Sequence, residues 1–120
     1  MRVLIADDSK AMRMIVLRTL RQSGLQIDEV HEAEDGAEAL AAVPTFAPDL
    51  IMSDWNMPNM TGIEFLQNLR ASGNNTTFGF VTSESNPSMK EQAIAAGAAF
   101  LLTKPFDAER LAEVVGAVVS

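Results

Sequence analysis

Cysteine is absent from the chain, which removes disulfides, thiolate metal sites and thiol nucleophiles. Basic residues are scarce: nine Lys and Arg stand against sixteen Asp and Glu, a formal net charge of −7. That balance argues against a nucleic-acid partner, because affinity for a phosphate backbone comes from lysine and arginine neutralising it. No apolar run approaches the roughly 20 residues of a membrane span. The opening Met1-Arg2-Val3-Leu4-Ile5-Ala6-Asp7 turns acidic too soon for a signal peptide. The expected compartment is therefore the cytoplasm, without membrane insertion. Linkers, repeats and low-complexity tracts are also missing. No Gly-x-Gly-x-x-Gly or Walker-type loop follows the first apolar run, where Asp7 and Asp8 would repel a phosphate unless a metal intervened.

What remains is an ordinary globular composition, 48% hydrophobic and 21% charged over 120 residues, of a size for one domain over residues 1–120. Arg2 to Ala6 reads as a buried strand, and Ser9 or Asp8 caps a helix with Ala11, Met12, Met14, Ile15, Val16 and Leu20 on a broad apolar stripe. Lys10, Arg13, Arg18 and Arg21 also fall in this helix, as a solvated face or a docking surface for an acidic partner. Gly24 closes it. Ile27 to Glu32 is a more polar strand suited to a sheet edge. Asp35 and Glu38 have capping-box spacing before an Ala-rich helix expected to stop near Pro44.

Leu50 to Met52 forms the third strand and ends in Asp54. Thr61 and Glu64 make another capping box, opening a helix that buries Ile63, Phe65, Leu66 and Leu69. Phe78 to Val81 is the fourth strand, ending at Thr82-Ser83-Glu84. Asn86-Pro87 then opens a helix closed by Gly97. Phe100 to Leu102 is the fifth strand, ending at Lys104-Pro105. Asp107 caps a last helix with Leu111, Val114, Val115 and Val118 on one side. Strand and helix alternate five times, which specifies right-handed crossovers and a parallel sheet covered on both faces.

In such a sheet all strand carboxyl ends share one edge, where ligands bind. Asp7, Asp8, Asp54, Thr82 and Lys104 would meet there. Three carboxylates at close range repel, and a divalent cation resolves the conflict. Oxygen-only ligands suit Mg²⁺, which keeps several waters and is usually completed by a phosphate oxygen. An aspartate can act as nucleophile and form an aspartyl phosphate. Lys104 can pair with a phosphoryl oxygen as a point charge, and Thr82 can donate a hydrogen bond to another. His31, on a strand away from this rim, reads as structural or surface-lying.

With Asp7-Asp8, Asp54, Thr82 and Lys104-Pro105 after strands one, three, four and five, the chain resembles the receiver domain of two-component response regulators. The segment Asp54-Trp55-Asn56-Met57-Pro58-Asn59-Met60-Thr61-Gly62 resembles the single-domain chemotaxis members especially. The resemblance implies a flavodoxin-like (βα)5 fold, doubly wound, with strand order 2-1-3-4-5. It implies that Asp54 accepts a phosphoryl group from a histidine kinase or histidine phosphotransfer protein. Asp8, Asp54 and the backbone carbonyl of Asn56 would ligate Mg²⁺, with Asp7 assisting. Thr82 and Lys104 would hold phosphoryl oxygens, and Lys104-Pro105 would be cis. Asn56 and Glu84 occupy the positions that tune self-dephosphorylation. Leu101 stands where receivers often carry an inward-turning Tyr or Phe, with Phe100 on the opposite face of its strand. A downstream protein would bind the face formed by helix four, strand five and helix five.

The expectation is a phosphorylation-controlled binding module rather than an enzyme, since the chain ends at Ser120 with its fifth helix. A receiver cut from a longer regulator is one alternative. A Mg²⁺-dependent phosphatase using the same rim is another, although such enzymes usually need a general acid and a lid. A scaffold that is never phosphorylated is a third.

Overall fold

The computed structural model describes residues 1–119. Five parallel strands alternate with five helices: β1 (Arg2–Ala6), α1 (Lys10–Gln22), β2 (Glu29–Ala33), α2 (Gly36–Phe46), β3 (Leu50–Ser53), α3 (Gly62–Ala71), β4 (Thr77–Thr82), α4 (Pro87–Ala96), β5 (Phe100–Thr103) and α5 (Ala108–Val118). The strand order is β2-β1-β3-β4-β5, so the polar second strand does lie at an edge. β2 begins at Glu29, two residues later than its apolar pattern suggests.

Two cores sandwich the sheet. On one side Leu4, Ile51, Phe78 and Phe80 pack with Phe65, Leu66 and Leu69 of α3 and Val43 of α2. On the other, Val3, Ile5, Met52, Val81 and Leu102 pack with Val16 and Leu20 of α1 and Leu111 and Val115 of α5. Burial on both faces is why β1 and β3 carry apolar residues without alternation. At Gly79 the ring of Phe100 covers the strand so closely that an added Cβ would lie 2.0 Å from its Cζ.

Helix starts follow the capping chemistry. Ser9, Asp35, Thr61, Asn86 and Asp107 each accept a hydrogen bond from a first-turn amide of the helix they open. The Thr61–Glu64 box is reciprocal, whereas Asp35 makes only the forward bond, accepting from Glu38 N through Oδ1 at 2.7 Å, and its Oδ2 accepts from Asn59 Nδ2 at 2.7 Å.

Four expectations need correction. First, α2 runs past Pro44 to Phe46. Its last turn is held from outside: Arg2 Nε donates to the Phe46 carbonyl at 2.8 Å, the Arg2 guanidinium lies over the Phe46 ring, and His31 packs on that ring at 5.5 Å. Second, the α1 stripe divides. Met14 and Ile15 are about half exposed and Ala11 is exposed, because the helix turns Arg13, Val16 and Leu20 inward. Third, Arg13 is buried, so only Lys10, Arg18 and Arg21 remain on the solvated face. Fourth, Val118 of α5, expected on the apolar side with Leu111, Val114 and Val115, is exposed.

Candidate functional site at the carboxyl edge of the sheet

The sheet's own hydrogen-bond ladder places the site. Asp7, Asp54 and Lys104 are each the first residue past a strand, with the backbone amide still bonded to a neighbouring strand. Asp7 N donates to Ala33 O at 3.0 Å, Asp54 N to Ala6 O at 2.8 Å, and Lys104 N to Thr82 O at 2.7 Å. Side chains so anchored project from a rigid edge, unlike those on a free loop.

Around this edge, one carboxylate oxygen from each of Asp7, Asp8 and Asp54 lies within 4.8 Å of the other two. Asp7 is buried at 3% exposure. Its Oδ1 accepts from Ser9 N at 2.9 Å, and its Oδ2 accepts from Lys104 Nζ at 3.0 Å. Lys104 Nζ also stands 3.5 Å from Asp54 Oδ2. Asp54 Oδ1 accepts from Trp55 N at 2.7 Å. Asp8 is exposed, and the Lys104–Pro105 bond is cis.

Burial raises the Asp54 carboxyl above the usual aspartate range. The Lys104 ammonium opposes that shift, Asp7 reinforces it, and the Trp55 amide opposes it again. One lysine thus offsets only part of the repulsion and desolvation of the cluster. A second cation would complete the neutralisation, and an all-oxygen donor set fits a hard divalent ion.

Of the remaining expected residues, Thr82 ends β4, Glu84 and Asn56 lie in the segments that follow β4 and β3, and Leu101 lies within β5. Thr82 is buried at the end of β4, and its Oγ1 accepts from Glu84 N at 3.3 Å. Glu84 and Asn56 are exposed, and Leu101 is half-buried. Leu101 packs against the α3 side of the sheet and Phe100 against the α5 side, the opposite facing that strand alternation implies.

Sequence reasoning missed Gly62. Its amide donates to Trp55 O at 2.8 Å, and an added Cβ would fall 2.1 Å from the Asp54 carbonyl oxygen and 2.9 Å from Phe80 Cε1. The start of α3 therefore presses on the backbone of Asp54. An aromatic series continues inward from the site: Trp55 to Phe80 at 4.7 Å, Phe80 to Phe78 at 5.1 Å and Phe78 to Phe65 at 5.3 Å between ring centres.

Residues 3–116 match the response regulator receiver domain family. The chain is 35% identical to the chemotaxis protein CheY of Bacillus subtilis over 114 residues, covering 95% of this chain and 93% of that protein. It is 36% identical over 115 residues to the chemotaxis protein CheY-3 of Vibrio cholerae, covering 94% and 87%. Among solved structures, Vibrio cholerae CheY4 superposes with a TM-score of 0.85 at 39% identity, over 98% of this chain and 97% of that one. A Francisella response regulator receiver domain gives 0.85 at 33%, over 97% and 93%.

Proposed function

The chain belongs to the response regulator receiver domain family, and from that premise we propose that it is a phosphorylation-dependent signalling switch whose phosphoryl acceptor is Asp54. The observation that carries this reading is the convergence of Asp7, Asp8 and Asp54 with a lysine that reaches both Asp7 and Asp54. Residues 1–120 form the receiver unit of the proposal.

In the proposed reaction an Asp54 carboxylate oxygen attacks the phosphorus of a phosphohistidine on a kinase or phosphotransfer protein. The P–O bond forms as the P–N bond breaks, and the imidazole leaves with the electron pair. The carboxylate must be ionised to attack, and its burial works against that. Asp7, Asp8, Asp54 and the backbone carbonyl of Asn56 would hold Mg²⁺, which when bound supplies positive charge for the carboxylates and for a phosphoryl oxygen. Lys104 exchanges its bond to Asp54 for one to a phosphoryl oxygen, and Thr82 turns its hydroxyl toward another. Such electrostatic stabilisation is the main demand that phosphoryl transfer makes of a protein. Attack by water at phosphorus forms a new P–O bond as the bond to Asp54 breaks, releasing inorganic phosphate and the free carboxylate, with Asn56 and Glu84 tuning that self-dephosphorylation.

Two surfaces suit the partners. A groove of about 400 Å³ runs from Met12, Ile15 and Val16 of α1 to Lys104, Pro105 and Phe106. Elsewhere on α1, the exposed Lys10, Arg18 and Arg21 favour an acidic phosphodonor. A second groove of about 410 Å³ lies between α4 and β5, lined by Ser85, Asn86, Pro87, Lys90, Leu101 and Thr103. It supports a downstream target on the α4–β5–α5 face, where Leu101 presents an aliphatic surface in place of an aromatic one. The chemotaxis relatives favour a chemotaxis pathway and a cytoplasmic setting. No helix among the described residues is long and apolar enough to cross a membrane.

The test is labelling with a small phosphodonor in Mg²⁺. The wild-type protein takes up one phosphoryl group and Asp54→Asn takes up none. Equal labelling of the variant would assign the nucleophile elsewhere.

A further inference from the structure

Arg13 is a cation in the first turns of α1, close to the helix end where the backbone dipole disfavours positive charge. It is nevertheless buried, with its side chain 8% exposed. Burial of a charge is costly unless it is paired and hydrogen-bonded, and its two partners explain the position. Arg13 NH1 donates to the backbone carbonyl of Asp7 at 2.6 Å, and Arg13 Nε donates to Glu32 Oε1 of β2 at 3.0 Å.

With that contact, every polar handle of Asp7 is engaged. Its amide is held by Ala33, one carboxylate oxygen by Ser9 and the other by Lys104, and its carbonyl by Arg13. The carbonyl belongs to the peptide unit that joins Asp7 to Asp8. Its direction sets the plane from which the Asp8 side chain leaves the backbone. Asp8 itself is exposed. Arg13 is thus the group that orients the Asp7–Asp8 peptide, braced from the edge strand through Glu32.

We propose that Arg13 is a positioning residue for divalent-cation binding: its planar fork ties the Asp7 carbonyl to Glu32 and so presents Asp7 and Asp8 to the ion in a fixed geometry. The inference rests on the reading of the acidic rim as a Mg²⁺ site. The fork is the operative feature. A lysine retains the charge but cannot span two acceptors with fixed geometry, so charge and positioning separate experimentally.

The experiment is a Mg²⁺ titration of Trp55 fluorescence in wild-type, Arg13→Lys and Glu32→Gln proteins, with thermal unfolding of each in metal-free buffer. Arg13→Lys is expected to weaken Mg²⁺ binding at least about tenfold, the usual scale for groups that orient a ligand. Glu32→Gln keeps a neutral acceptor at an exposed position and is expected to weaken it measurably but less than Arg13→Lys does. A purely structural role lowers the thermal midpoint and leaves the Mg²⁺ dissociation constant unchanged; that pattern in Arg13→Lys overturns the proposal. Should Arg13→Lys not fold, Glu32→Ala decides in its place, and a wild-type dissociation constant there has the same consequence. Failure of the wild-type protein to bind Mg²⁺ instead overturns the reading of the rim itself.

Discussion

Lys104 and Asp7 are 97 residues apart in the chain and 3.0 Å apart at Nζ and Oδ2. The pair ties the end of β5 to the end of β1 across β3 and β4, with both side chains largely buried. Lys104→Ala leaves two carboxylates facing each other without their cation. In metal-free buffer it is expected to lose roughly 1–3 kcal/mol, the scale for a buried polar group deprived of its partner. Mg²⁺ recovers part of that loss by binding the folded state alone. Urea unfolding with and without Mg²⁺ measures both effects; an unchanged midpoint without metal removes Lys104 from the support of the rim.

Asp54 has the opposite influence on the metal-free fold. Its carboxyl is raised above its ordinary value of 3.8, chiefly by burial, so between the unfolded and folded values the folded chain retains a proton that the unfolded chain has released. Its contribution to stability is full below the unfolded value and is lost as pH rises through the folded one. Asp54→Asn escapes that loss. Without metal its thermal midpoint should exceed that of the wild type at neutral pH, and the gap should close on acidification. A gap independent of pH would contradict a raised Asp54.

Asp8 separates binding from folding. It is exposed on the loop between β1 and α1, and surface substitutions of this kind usually move stability by less than about 0.5 kcal/mol. Asp8→Ala is expected to unfold at the wild-type urea midpoint in metal-free buffer while losing the Mg²⁺ response of Trp55 fluorescence. Retention of that response would place the cation away from Asp8.

Gly62 and Gly116 should respond to the same substitution with opposite signs. In Gly62→Ala the new methyl meets the Asp54 carbonyl and the Phe80 ring. The strain should cost about 1–3 kcal/mol or more and move the Asp54 backbone. Gly116 lies within α5 with nothing within 4 Å of an added Cβ, so Gly116→Ala should stabilise by about 0.5–1 kcal/mol. Paired denaturant midpoints give the comparison directly.

Much of this was legible locally. Ser9, Thr61, Asn86 and Asp107 announce helix starts because a cap is a contact over three residues. The alternation of apolar runs and amphipathic stretches specifies a parallel sheet because crossovers have one hand. Pro44 was misleading for a related reason: a proline weakens a helix locally, but Arg2 and His31 on other strands hold the last turn from outside.

By itself the sequence determined that acidic residues, a hydroxyl and a lysine terminate the strands, and that one sheet edge must collect them. The tertiary structure decided what each then touches. In α1, apolar residues cover more of the helix than one face can bury, so only packing against β1 and α5 selects Val16 and Leu20 over Met14 and Ile15. The same rotation carries Arg13 inward to the Asp7 carbonyl. No periodicity encodes the closeness of Gly62 to Asp54, nor the burial that raises the Asp54 carboxyl. Those depend on distances between segments that meet only when the whole sheet is assembled.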